Sequence, residues 1–398
     1  LSIADNPKLN KLVAEIFSNF YFTDKNYDFK HSFNKKNTKI KIAYFSSDFN
    51  QNHPVAHLIN ELFENHDSKS YEIFAFSFQA SSEIDVFRKK IRKFVKHFYD
   101  VEDKSDDDIV SISRKLNLDI AVDLNGHTQN ARTSIFSKRV APVQINFLGF
   151  PGTMGSNFYD YIIADKFVIP EESKVFYNEK VLYMPNSYLI NPSFRKVSNN
   201  KISKKSEGLP EKSFVFCCFN NSYKILPNIH EIWSNILHQV ENSVLWLADT
   251  NPVAKKNLQC QFVKKNISTD RIYFAKRLQK VEDHLERYKL ADLFLDTFPF
   301  NAHTTACDAL YLGLPVLTIY GKSFSSRVGL SLLKNLSLDE FITNNEEDYE
   351  EKAIYFSKNI DKLKELKQKL KLNIKTSPLF NSKLYTNNLE DLYKKIIV

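Results

Sequence analysis

From Lys39 onward, short runs of β-branched and aromatic residues alternate with stretches of helical period, the pattern that a parallel sheet with crossover helices requires. In the first half KIKIAYFSS (39–47), YEIFAFSF (71–78), LDIAVDLNG (118–126) and VQINFLGF (143–150) predict strands. Between them PVAHLINELFENH, with Pro54 in its first turn, and SDDDIVSISRKLN, with Ser105 as N-cap, predict helices. A polar Lys/Asn/Ser-rich stretch at 191–212 interrupts the alternation and predicts a linker. The pattern restarts with SFVFCCFN (213–220), SVLWLAD (243–249), RIYFA (271–275), ADLFLDT (291–297) and LPVLTIY (314–320). Two such series predict an α/β protein of two Rossmann-like domains facing a cleft, over 39–190 and 213–345, with C-terminal helices over 346–398. Residues 1–38 form a polar lead-in with scattered Phe and Tyr that this pattern does not place, and no internal repeat is present.

Composition agrees with two cores. The chain has 398 residues, 43% hydrophobic and 26% charged, which excludes global disorder. No apolar run approaches the roughly 20 residues of a membrane span. Lys and Arg number 55 against 47 Asp and Glu, and the resulting +8 suits an anionic ligand without demanding nucleic acid, for which no recognition motif accompanies it. Cys217, Cys218, Cys260 and Cys307 form no CxxC pair and no His-matched spacing, so neither zinc nor a disulfide framework is expected and a reducing cytoplasm is the default. Only 8 residues are glycine, about a third of the usual share, so the positions that keep one are informative.

The strongest chemical pattern is the strand ADLFLDT, then FPFN, then His303-Thr304-Thr305-Ala306-Cys307-Asp308 opening a helix. A parallel strand's carboxyl end followed by a helix start is where open α/β sheets bind phosphate, because unpaired backbone N–H groups converge there. Asp308, one turn after Thr304, can accept from ribose hydroxyls, although the same residues would also make a plain polar helix start. Phe219-Asn220-Asn221-Ser222-Tyr223-Lys224 follows the first strand of the second series. An ammonium there can neutralise a departing diphosphate, although a lone loop lysine is far more often solvated, with little weight in folding. His284 and Arg287, three apart on a predicted helix, can flank a flat nucleobase or simply form an exposed face.

In the first series Asp48, Asn52 and His53 follow strand 39–47, Asn125-Gly126-His127-Thr128 follows the strand over 118–124, and Gly149-Phe150-Pro151-Gly152-Thr153-Met154-Gly155 follows that over 143–148. Four of the glycines fall within 126–155, which points to special backbone conformations or close ligand approach. Asp106-Asp107-Asp108 reads as a favourable helix start, so no metal site is predicted.

Taken together, SSDFNQNHPVAHL, NGHTQNAR with APVQINFLGFPGTMGSNFYDYIIAD, FNNSYKILPNIHEIWSNIL with SVLWL, DTFPFNAHTTACDALYLGLPVLT and SFSSRVGLSLL resemble the catalytic region of the O-GlcNAc transferase and SPINDLY-like glycosyltransferases, in family order from about 42 to 341. The resemblance implies a GT-B architecture and inverting, metal-independent sugar transfer from a nucleoside diphosphate sugar to a protein Ser/Thr hydroxyl; a cytoplasmic bacterial enzyme is expected. It assigns Lys224 and His303-Thr304-Thr305 to the diphosphate, with Asn221 beside it, Asp308 to the ribose, and His284 with Arg287 to the base. His53 becomes the candidate base or acceptor-positioning residue, with Asp119 and His127 behind it. Asn125, His127, Pro151, Gly152 and Thr153 fall on the acceptor side. HTTACD, with its histidine, is closer to the UDP-GlcNAc users, which puts that donor first. GDP-fucose-dependent O-fucosylation and UDP-glucose-dependent asparagine N-glucosylation are the alternatives, and a nucleotide-sugar-binding protein without turnover is the reading of another class. The implied partners are a UDP-sugar and a protein or peptide acceptor, with no cofactor, nucleic acid or membrane. The tetratricopeptide arrays of eukaryotic members are not seen, and the lead-in 1–38 would be the end of such a helical region.

Overall fold

The computed structural model describes residues 2–22, 39–51, 53–79, 85–200 and 202–397. The chain forms two compact units: Asn6–Ser193 with Pro378–Val398, and the residues up to Asp5 with Phe194–Ser377.

The first unit is built on β1 (Ile40–Ser46), β2 (Tyr71–Ser77), β3 (His97–Asp100), β4 (Ile120–Asp123), β5 (Val143–Asn146), β6 (Tyr161–Ala164) and β7 (Lys180–Tyr183). They make one sheet in the order β3-β2-β1-β4-β5-β6-β7, with every pairing parallel. A parallel sheet is covered on both faces, so its inner strands are apolar throughout. Ile42 to Phe45 on β1 and Ile120 to Val122 on β4 are all buried. One face packs as an aromatic cluster in which Phe45 stacks on Phe76 at 4.6 Å and meets Phe136 edge-on at 5.3 Å.

The second unit carries β8 (Phe214–Cys218), β9 (Ser243–Ala248), β10 (Ile272–Ala275), β11 (Leu293–Leu295), β12 (Val316–Ile319) and β13 (Ile342–Thr343), again parallel, in the order β10-β9-β8-β11-β12-β13. Among the described residues, nine of the thirteen strands coincide with predicted runs. The four that do not, β3, β6, β7 and β13, are two to four residues long and lie in the outer positions of their sheets. β3 and β7, at the two edges of the first sheet, bury none of their residues and so lack the apolar run that marks an inner strand.

The stretch over 191–212 differs from the expected linker. From Phe194 on it is part of the second unit, with Arg195 and Leu209 buried and Glu207 paired with Arg287 at 3.0 Å. Two of its charged residues, Arg195 and Glu207, are drawn into buried ion pairs, while most of its Lys, Asn and Ser stay exposed. The C-terminal helices are divided: Glu346–Lys358 and Ile360–Thr376 belong to the second unit, whereas Ser382–Ile397 packs on the first. There Glu390 accepts from the Asp67 N–H at 2.8 Å and lies 2.9 Å from His66 Nδ1, whose Nε2 is 2.9 Å from the Tyr44 hydroxyl.

Part of the lead-in is helical, Pro7–Tyr21, with Asn6 as N-cap accepting from the Leu9 N–H at 3.0 Å. It docks through small residues, Ala14 and Ser18, and the Ser18 hydroxyl donates to the Met154 carbonyl at 2.5 Å. This approach explains the last glycine of GFPGTMG: Gly155 has φ +64°, and a Cβ there would lie 2.3 Å from the Ala14 carbonyl carbon. The rest of the lead-in, 23–38, lies outside the described residues.

Gly155→Ala is therefore expected to destabilise by about 3 kcal/mol or more, adding a backbone clash to the 1–2 kcal/mol of a left-handed alanine. Gly208 has φ +75° with nothing within 4 Å of its would-be Cβ, so Gly208→Ala should carry the left-handed cost alone. Urea unfolding of both variants compares them, and equal losses would mean that the helix yields at Gly155.

Candidate active site

In an open parallel sheet, ligands bind beyond the carboxyl ends of the strands where the strand order reverses, because the two flanking loops diverge to opposite faces there. The reversals fall between β1 and β4 in the first unit and between β8 and β11 in the second. The loops leaving those four strands carry most of the candidate residues.

In the second unit the loop after β8 and the loop after β11 are joined by buried polar side chains. The Asn220 amide donates to Thr297 Oγ1 at 2.8 Å, and its oxygen accepts from Thr305 Oγ1 at 2.5 Å. Lys224 closes a short turn after Asn221 and points its ammonium at the Asn301 carbonyl, 2.8 Å away, over the Phe300 ring at 3.9 Å. This corrects the expectation of a solvated loop lysine, because Lys224 is only 8% exposed. Burial lowers it to about 8, against the opposing pull of Asp296. Asn221 itself is exposed, and Asn220 makes the buried contacts.

Helix Thr304–Tyr311 starts after His303, whose side chain makes no capping bond, so the first-turn N–H groups keep their outward donors. Burial, reinforced by Lys224's charge, holds the His303 imidazole well below its ordinary range and hence neutral. Its Nε2 is buried without a partner. One turn on, Asp308 forms a buried ion pair with Arg195, whose backbone N–H donates to the Tyr311 hydroxyl at 3.2 Å. Arg195 was invisible to the sequence reading, since it lies in the presumed linker and 113 positions from its partner.

His284 and Arg287 do share helix Val281–Arg287 but are not equivalent. His284 packs against Phe219 and Tyr288, with centroids 5.6 and 5.4 Å apart, and burial with Arg287's charge lowers it to about 4. Arg287 is 2% exposed and committed to Glu207 and the Lys276 carbonyl. That geometry corrects the expected pair of base-flanking side chains: His284 presents a neutral ring, while Arg287 braces the helix from behind.

In the first unit Asn125 organises the switch point. Its amide donates at 2.8 Å to both Ser47 Oγ and Asp48 Oδ2, and its oxygen accepts from the Ser47 N–H at 2.7 Å. His53 caps helix Pro54–Leu58, its Nδ1 accepting from the Val55 N–H at 3.3 Å, which leaves the proton on Nε2, 3.6 Å from Asp48 Oδ1. Burial raises Asp48 and lowers His53, each opposed by the other. His127 donates through Nε2 to the Met154 carbonyl at 3.0 Å, its Nδ1 is buried without a partner, and burial lowers its affinity for a second proton. Pro151, Gly152 and Thr153 are buried. The Gly152 carbonyl accepts from Asn146 at 3.0 Å and the Thr153 hydroxyl donates to Glu179 at 2.7 Å, so this turn is braced internally. Asp119 is a correction: it precedes β4, accepts from the Lys41 N–H at 2.8 Å, and so sits at the sheet edge opposite Asn125. Asn52 lies outside the described residues. Asp108 completes a capping box with Ser105, as a helix start should. Among the described residues no group of three His, Cys, Asp or Glu could hold a metal ion, and no helix is long and apolar enough to cross a membrane.

Residues 19–206 and 197–389 match glycosyl transferase family 41, and the chain belongs to that family. It is 36% identical over 364 residues to SEC of Arabidopsis thaliana, described as a probable UDP-N-acetylglucosamine–peptide N-acetylglucosaminyltransferase, covering 90% of this chain and 37% of SEC. It is 30% identical over 365 residues to SPINDLY of Solanum lycopersicum, which carries the same description, covering 89% of this chain and 38% of that one. The chain thus spans under two-fifths of these relatives' length. Its fold superimposes on a mutant of Thermobaculum terrenum O-GlcNAc transferase with a TM-score of 0.89 at 24% identity, covering 99% of this chain and 75% of that one.

The Lys224 site generates a stability prediction. The unfolded lysine keeps its proton to about 10.5 and the folded one to about 8. Its charge therefore weakens the fold fully below pH 8, and stability returns as pH rises from 8 towards 10.5. Relative to Lys224→Met, which has no such dependence, wild type should gain on the order of 2 kcal/mol between pH 7.5 and 9.5 in urea unfolding. A constant difference between the two proteins would show that Lys224 titrates outside that range.

Proposed function

We propose that this chain is the catalytic region of an inverting, metal-independent glycosyltransferase that moves GlcNAc from UDP-GlcNAc to a Ser or Thr hydroxyl of a protein. The observation that carries the reading is the meeting, at the switch point of the second sheet, of a buried ammonium and an uncapped helix start. Both favour a diphosphate, and both favour it more as the sugar bond breaks and negative charge collects on the leaving group.

The nucleotide side then follows from neighbouring groups. Thr304 and Thr305 supply donors at the same turn, Asp308, oriented by Arg195, accepts from ribose hydroxyls, and the neutral His284 ring offers a face to the base. The charge that a divalent ion would supply is assigned to Lys224. The relatives described as UDP-N-acetylglucosamine–peptide transferases support UDP-GlcNAc over GDP-fucose and UDP-glucose as donor, and a peptide as acceptor.

In the first unit, His53 is assigned to the acceptor. Its Nδ1 lone pair is taken by the Val55 N–H and its Nε2 carries the proton, so in this conformation it is a donor that orients a hydroxyl rather than a bare base. Asp48, raised by burial and beside it, is the better placed acceptor of a proton.

Calorimetry in EDTA should detect UDP binding, and UDP release should depend on a Ser/Thr peptide. Loss of binding on chelation would overturn metal independence, and a preference for GDP would move the donor assignment. Lys224→Ala should cut turnover on the order of a hundredfold. His53→Ala should lower turnover while leaving UDP affinity near wild type, and unchanged turnover would confine His53 to capping its helix.

A further inference from the structure

The loop joints of the second unit converge on a carboxylate that the assignments above leave unused. Asp296 directly follows β11 and is fully buried. Its Oδ1 accepts from the Thr297 N–H at 2.8 Å, from the Ala302 N–H at 2.6 Å and from the Asn220 amide at 3.4 Å. Its Oδ2 accepts from the Thr318 hydroxyl on β12 at 2.7 Å. One side chain thus ties together the ends of β8, β11 and β12.

Everything at the phosphate end of the site hangs from those ties. Ala302 immediately precedes His303 and helix Thr304–Tyr311, and the Asn220 that reaches Asp296 also holds Thr305. The turn between Thr297 and Ala302 supplies the Asn301 carbonyl and the Phe300 ring that receive the Lys224 ammonium. Asn301 is itself pinned, donating to the Thr297 carbonyl at 2.9 Å and the Ile319 carbonyl at 3.2 Å.

A neutral asparagine could accept the same backbone bonds through one oxygen, so hydrogen bonding alone does not explain a buried charge, which is unfavourable unless compensated. The compensation lies in Lys224. The groups that act on its charge are Asp296, which favours it, the neutral Cys218 thiol at the end of β8, and the neutral His303 ring. Among the described residues Asp296 is the carboxylate in that set.

We propose that Asp296 is a positioning residue for transfer, the buried anion that fastens the loop carrying Lys224 to the turn opening helix Thr304–Tyr311 and supplies the ammonium's counter-charge. The proposal rests on the diphosphate reading of the site. Asp296 touches no substrate. It keeps Lys224 charged and aimed in the absence of donor, so the site does not need to acquire a proton when the nucleotide arrives.

Asp296→Asn separates the charge from the fastening, because its oxygen keeps the three bonds of Oδ1 and its amide can donate to a reoriented Thr318 hydroxyl. The Lys224 titration is followed by NMR of 13C-lysine-labelled protein without donor, the resonance assigned by its loss in Lys224→Arg. In Asp296→Asn its midpoint should fall by at least one pH unit. Peptide-dependent UDP release should drop about tenfold at pH 8 and far less at pH 6.5, whereas a merely structural lesion would lower both alike. Asn220→Ala, which cuts the tie but keeps the anion, should lower turnover equally at both pH values with the midpoint in place.

An unmoved midpoint in folded Asp296→Asn, or wild-type turnover in Asn220→Ala, would overturn the proposal. If Asp296→Asn does not fold, Lys224→Arg decides. Its residual turnover should lack the alkaline fall expected of wild type, and the same fall in both proteins would remove Lys224's charge, and Asp296 with it, from the pH dependence. Absence of UDP release by wild type would instead count against the diphosphate reading, and the donor-free midpoint would still be read.

Discussion

The reversal of strand order about the first strand of each sheet is the constraint on which the rest of this structure depends. Crossovers that leave β1 and β4 in one unit, and β8 and β11 in the other, run to opposite faces, so the loops between them part and expose backbone at the carboxyl edge. Polar side chains must then do what a ladder does elsewhere. Asn125 does so after β1 and β4, and Asn220 with Asp296 after β8 and β11. Both switch points are stitched by an asparagine that both donates and accepts, the residue type able to serve two loops at once.

The two stitched points differ in charge. In the first unit burial raises the Asp48 carboxylate and lowers the His53 imidazole against their mutual attraction, an arrangement suited to moving or sharing a proton. In the second a buried ammonium, a buried carboxylate raised to about 6, and a neutral imidazole are packed together. Such a cluster is unfavourable to the fold, and its retention at a ligand-binding edge fits a site whose charge is completed by an anion.

Candidate residues were legible where local order is enough. The strand-then-turn-then-helix order around His303 to Asp308 defines a phosphate-type edge, and a helix start needs only its own residues to be read. Glycine scarcity made 126–155 conspicuous, but it did not separate ligand approach from helix docking. Gly155 proved to be where the Pro7–Tyr21 helix comes within reach of the chain. The partners of charged side chains were not legible: Asp308 with Arg195, Arg287 with Glu207 and His66 with Glu390 are joined across 80 to 324 positions.

What the sequence by itself determined, then, is the alternation of buried strands and amphipathic helices, hence two parallel sheets, and the residues that end each inner strand, hence which side chains stand at the carboxyl edges. Periodicity and caps are properties of neighbouring residues, so they survive in one dimension. Burial of a charge is not such a property. Lys224 looks like any loop lysine until the turn after β11 folds over it, and Arg287 looks exposed until Glu207 arrives from the supposed linker. Those outcomes belong to the tertiary structure, because the dielectric around a group and the identity of its counter-charge are set by segments distant in sequence.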